Sequence, residues 1–136
     1  GHVTFATLHT SDAVQTINRI VDVFPAYQQQ QIRTQLSFTL QAVFCQQLLP
    51  AASGRGRVMA SESMMADSAI RALIRDNKAH QIYSQIQTGG KLGMRTMNMS
   101  LCELYKKRAI SLDEALSRSN DREELQRLLQ EQPVHR

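Results

Sequence analysis

Cysteine, glycine and proline are all scarce in this chain, and each scarcity excludes a class of protein. The two cysteines, Cys45 and Cys102, form no CxxC pair. They build neither a disulfide framework nor a zinc knuckle, and a reducing, cytosolic setting is the default. Six glycines and three prolines in 136 residues exclude collagen-like and low-complexity chains. No apolar run approaches the roughly 18 residues needed to span a bilayer. The N-terminus shows neither the basic start nor the apolar stretch of a secretory signal. What is present suits one globular domain: 42% hydrophobic residues, enough to bury a core, and 21% charged.

Charge is modest in total and uneven in placement. The formal net charge is +4. Residues 71–108 hold eight basic groups against Asp76 and Glu103, whereas residues 1–68 balance four against four. Such a localised basic surface points to an acidic partner or to a solvated face. Fifteen glutamines occur, but Gln28 to Gln31 sit inside a helical pattern and form no low-complexity tract.

Residues His2 to Leu8 are rich in β-branched and aromatic types and predict a buried strand, as if cut from a longer chain. Thr10, Ser11 and Asp12 offer N-cap chemistry to a helix over 12–22, with Val14, Ile17, Ile20 and Val21 at helical spacing. Pro25 suits the first turn of a second helix whose buried stripe is Ile32, Leu36 and Leu40. The period then changes. Val43 to Leu49 and Arg57 to Met65 read as two strands around the turn residues 51–55, a β-hairpin. Helices follow at about 68–76, 79–87, 96–108, 112–118 and 121–131, with Gly89, Gly90 and Gly93 marking a flexible loop. In the 69–76 helix, Ile70, Leu73 and Ile74 face the core and Ser68 or Asp67 is the N-cap. Arg71, Arg75 and Lys78 then line an exposed face suited to an acidic surface, or pair locally with an acid such as Asp76.

His9 is the first residue that could carry chemistry. It follows the expected strand and precedes a helix N-terminus, where open α/β sheets bind ligands. A neutral imidazole there can contact a phosphate or orient a water, since it both donates and accepts. The spacing alone favours a histidine that only satisfies turn backbone groups. His80 and His135 fall in no motif. The methionines read as core filling, and neither cysteine has a neighbouring base to make it reactive.

The run from Gly1 to Ala13, with Ile17, Arg19, Asp22, Phe24 and Pro25 after it, resembles the histidine box of type II/IV secretion ATPases. Ala69-Ile70-Arg71-Ala72-Leu73-Ile74-Arg75-Asp76 is similar to the AIRNLIRE signature of the PilT-like pilus retraction ATPases. Gln81 to Gly89 and Gly93 to Met97 continue that likeness, which covers essentially the whole chain. The resemblance implies an α/β fold: the C-terminal portion of a RecA-like P-loop ATPase core, followed by a β-hairpin and a helical tail. It divides the chain into a core part at 1–66 and a helical subdomain at 67–136. His9 and His2 become the candidate catalytic residues, with His9 at the γ-phosphate. In regular pairing the two would leave opposite faces of the strand. Ala69, Ile70, Arg71, Leu73, Ile74, Arg75 and Asp76 become a helix that couples hydrolysis to movement against a neighbouring subunit or domain. The full-length protein would be a hexameric cytoplasmic ring at the bacterial inner membrane, using ATP and Mg2+ to power pilus retraction and twitching motility. No nucleic acid or transmembrane segment is expected.

Departures from the family are equally informative. None of the six glycines belongs to a GxxxxGK[ST] loop, so the backbone cradle, lysine and magnesium ligand for a triphosphate are missing. The chain alone is expected to hold no nucleotide or metal and to be inactive. Ala72 and Asn77 differ from the common signature without removing a charge. No tetracysteine insert lies near the hairpin, so no structural zinc site can form, which favours retraction over pilus-assembly or type II secretion ATPases. Two further readings are a basic helical nucleic-acid-binding module, weakened by the spread of basic residues over several helices, and an inactive ring-joining pseudo-enzyme.

Overall fold

A computed structural model describes residues 2–131. Gly1, the first residue of the histidine-box run, and residues 132–136, which include His135, lie outside the described residues. Among the described residues, seven α-helices and one hairpin follow in order: α1 Ala13–Asp22, α2 Ala26–Thr39, β1 Ala42–Pro50, β2 Arg57–Met65, α3 Ser68–Arg75, α4 Ile82–Thr88, α5 Met97–Lys106, α6 Leu112–Arg118 and α7 Arg122–Gln130. Short 3₁₀ turns at Ala79–Gln81 and Gly89–Leu92 flank α4.

Local chemistry starts and stops these helices. Asp12, Asp67, Thr96, Ser111 and Asp121 cap α1, α3, α5, α6 and α7, each accepting a backbone N–H three residues on. Of the capping candidates in sequence, Asp12 and Asp67 carry the bonds, at 2.8 Å each. At the other ends, α3 and α5 close through Asn77 (φ 56°) and Arg108 (φ 58°) in left-handed conformation. There Lys78 N–H reaches the Leu73 carbonyl and Ala109 N–H the Leu104 carbonyl, the bond pattern of a Schellman motif.

Strands β1 and β2 pair antiparallel, with Val43 opposite Met64, Cys45 opposite Glu62 and Leu49 opposite Val58. Because side chains alternate, one face presents Val43, Cys45, Leu49, Ala60, Glu62 and Met64 inward, and the other exposes Phe44, Leu48 and Met59. The inner face carries two apolar cores. Val43, Cys45 and Met64 pack with Ala13, Ile17, Ile70, Ile74, Ile82 and Ile86. Leu49 and Ala60 pack with Met97, Leu101, Ile110, Ala115 and Leu125. Each core draws residues from both sides of position 66.

Several local expectations differ from the structure. The stripe expected to bury the second helix, Ile32, Leu36 and Leu40, is only half-buried, and Ser37 is the buried residue of α2. Residues 2–8 form no strand: Val3 and Phe5 are 78% and 93% exposed. A strand exists only through hydrogen bonds to a neighbour, and this segment pairs with neither edge of the hairpin. The β2 edge is instead met by Arg95, which exchanges both backbone bonds with Ser63. The glycine loop is also more ordered than its composition suggests. Gly89 opens a 3₁₀ turn closed by Gly93 at φ 80°, and a Cβ on Gly89 would fall 2.6 Å from Met94 Cε. No helix among the described residues is long and apolar enough to cross a membrane.

Candidate functional site

The conformation of the His9–Asp12 turn depends on one unusual backbone angle. His9 adopts φ 52°, a left-handed conformation that costs a non-glycine residue about 1–2 kcal/mol. Backbone strain of this kind persists where surrounding structure holds it, and it concentrates at functional turns. Here the holding groups are explicit. The Thr10 and Thr16 hydroxyls share a hydrogen bond, Thr16 Oγ1 also donates to the Asp12 carbonyl at 2.9 Å, and Asp12 caps α1. The second Asp12 oxygen accepts from Asn120 Nδ2 at 3.2 Å, so the turn touches the residues that precede α7. His9 itself is exposed. Its ring makes no hydrogen bond to another described residue, which leaves it available to a ligand or a partner.

His2 is exposed as well and is not joined to His9 by any hydrogen bond among the described residues. The opposite-face argument for the pair has no basis here, since the segment between them is not a strand. Helix α3 lies on the first core through Ile70 and Ile74, with Leu73 half-buried against it. Arg75 pairs with Asp76 at 3.3 Å on the surface. Arg71 is not part of a free basic stripe. It is half-buried and its Nη1 donates to the Ser37 carbonyl at 2.6 Å. Ser37 lies in the last turn of α2, where carbonyls lack intrahelical partners and a cation is favourable. Arg71 therefore fastens α3 to α2.

Two buried carboxylates were not singled out by motif. Glu62, 1% exposed, accepts from Ala13 N–H at 2.8 Å and Met97 N–H at 3.1 Å. Burial pushes its carboxyl above the ordinary carboxylate range, opposed by those two bonds and reinforced by the charges of Asp12 and Glu124. The signal was legible in the strand pattern: an acid at the same parity as Ala60 and Met64 must face inward. Glu124 accepts from Tyr83 Oη, Gln87 Nε2 and Asn98 Nδ2, joining α4, α5 and α7. Burial and the bond to Glu124 push the Tyr83 phenol upward. Among the described residues no group of three or more His, Cys, Asp or Glu could hold a metal ion. With no phosphate loop in the sequence either, the residues present do not fit an ATP–magnesium site by themselves.

No family model matches the chain. It is 50% identical over 115 residues to the type IV pilus retraction ATPase PilT of Pseudomonas aeruginosa, covering 85% of this chain and 33% of that protein. It is 45% identical over 125 residues to a twitching motility protein of Neisseria gonorrhoeae, covering 92% and 33%. Its fold superposes on a crystal structure of the pilus retraction motor PilT with bound ADP at a TM-score of 0.83 and 49% identity, covering 93% of this chain and 35% of that one. The Legionella pneumophila ATPase DotB shares the fold at a TM-score of 0.63 and 20% identity. The chain is thus a homologue of the PilT-type ATPases and matches the C-terminal part of their fold. It spans about a third of the length of the curated relatives it matches.

Proposed function

We propose that this chain is the C-terminal part of a ring-forming ATPase motor that powers type IV pilus retraction and twitching motility. The observation that carries this reading is identity of 50% spread over 85% of the chain to a retraction ATPase, together with the 0.83 TM-score to a retraction motor. In this reading ATP and Mg2+ are held by the part of the motor this chain lacks, and the whole assembles as a hexamer in the cytoplasm at the inner membrane. His9 contributes the contact of this chain to the γ-phosphate or its attacking water, helped by the strained turn that holds its ring outward. His2 lies on the same exposed segment and has the weaker claim. Residues Ala69 to Asp76, on α3 and its C-cap, then transmit movement, through the exposed Arg75 face rather than through Arg71.

Deleting the gene in its own host tests the reading. Cells should keep surface pili and lose twitching, and the intact gene should restore it. Loss of pili would make the protein an assembly motor. Normal pili and normal twitching would remove it from pilus biology.

A further inference from the structure

Glu62 occupies a singular place in the molecule. On the inner face of β2 it stands between Ala60, a member of one apolar core, and Met64, a member of the other. Its two oxygens divide their work: Oε1 accepts from the first residue of α1 and Oε2 from the first residue of α5. Both N–H groups lack intrahelical partners, and both helix ends carry positive partial charge. Among the described residues no lysine or arginine pairs with Glu62. The two helix ends are what balance its buried charge. One end, α1, is entered directly from the strained His9 turn. The other, α5, carries the second core and, through Asn98, the Glu124 network.

We propose that Glu62 is a positioning residue that carries movement of the His9–Asp12 turn across the seam between the two cores to α5. A displacement of α1 along its axis pulls on a carboxylate whose other oxygen holds α5, so the two helix starts move together. What that movement serves rests on the retraction-motor reading; the clamp itself does not.

Glu62→Gln keeps size and shape but replaces one acceptor oxygen with an N–H₂ donor, which cannot accept from a backbone N–H. Glu62→Asp keeps the charge but is one methylene too short to reach both helices. In the full-length, nucleotide-free protein, amide hydrogen exchange at Ala13 or Met97 should accelerate about tenfold or more in either variant. ATP turnover should stay within about threefold of wild type while pilus retraction per ATP falls about tenfold, with no rescue by Asp. Unchanged exchange at both amides would overturn the clamp. Turnover and retraction falling in proportion, or retraction unchanged, would overturn its coupling role. Failure of the functional reading shows separately, as wild-type protein that hydrolyses no ATP, while the exchange result still decides whether the clamp exists.

Discussion

His9 and Glu62 both stand out at the residue scale, one through its backbone and one through its burial. The left-handed His9 backbone suits glycine at no steric cost. On the retraction-motor reading proposed above, His9→Ala and His9→Gly in the full-length protein should both lower kcat by roughly 10²–10⁴, the usual range for a positioned acid–base group. His9→Gly should at the same time keep or raise the melting temperature, because it removes the strain. A glycine variant with normal kcat would reduce His9 to a turn residue. Glu62 gives a prediction in pH. Its carboxyl lies above the ordinary carboxylate range because it is buried, so the folded chain holds that proton to higher pH than the unfolded chain does. The stabilisation from the neutral form is then complete below about pH 4 and is lost as pH rises through the raised value. An amide does not ionise. The denaturation midpoint of Glu62→Gln should therefore gain on wild type as pH rises from about 4 toward neutrality, read from urea titrations of this chain. A pH-independent difference would mean that burial does not control this carboxyl.

Among the elements, the helices and the hairpin were legible in sequence, and the strand expected at 2–8 was a misreading, for a physical reason. Capping and i, i+3, i+4 burial are local, so Asp12 and Asp67, with Ile17 and Ile74 behind them, specify their helices within a few residues. The hairpin was legible because alternation in 43–49 and 57–65 matches a partner close in sequence. A strand at 2–8 needs a partner from elsewhere, and composition cannot say whether one is present. Arg71 shows the same limit on the helix surface. Spacing placed it with Arg75 and Lys78, yet only tertiary packing reveals the α2 carbonyl that it serves. Arg71→Ala should cost the chain about 1–2 kcal/mol, by loss of a charged hydrogen bond to a helix C-terminus. Arg75→Ala, whose ion pair with Asp76 is exposed, should cost less than about 0.5 kcal/mol. That difference makes Arg75→Ala the cleaner probe of the coupling proposed for α3. Equal losses from both would place Arg71 on the surface after all. A further stability gain is available at Arg108, where glycine would relieve the left-handed C-cap of α5. Arg108→Gly should raise stability by about 1 kcal/mol.

For the whole molecule, the two cores and the hairpin between them describe a folded body whose described residues do not by themselves fit an ATP–magnesium site. Glu62 and Glu124 use their oxygens on backbone and side-chain donors of this chain, so both acids hold the fold together, and among the described residues no group of three or more His, Cys, Asp or Glu could hold a metal ion. The stronger of the two remaining candidates, His9, is an exposed ring, as is His2. Phosphoryl transfer needs the leaving and attacking oxygens positioned and the developing charge neutralised, by a backbone cradle, a lysine and a magnesium ion. One imidazole supplies none of these. The purified chain of 136 residues should therefore release phosphate from Mg-ATP only at the background rate. It should also show no saturable change in melting temperature as Mg-ATP is raised, because a ligand stabilises a fold only in proportion to its occupancy. Turnover that His9→Ala abolishes would mean that this chain assembles a phosphate site of its own. A saturable rise in melting temperature without turnover would instead locate nucleotide binding within these residues, separate from any hydrolytic chemistry.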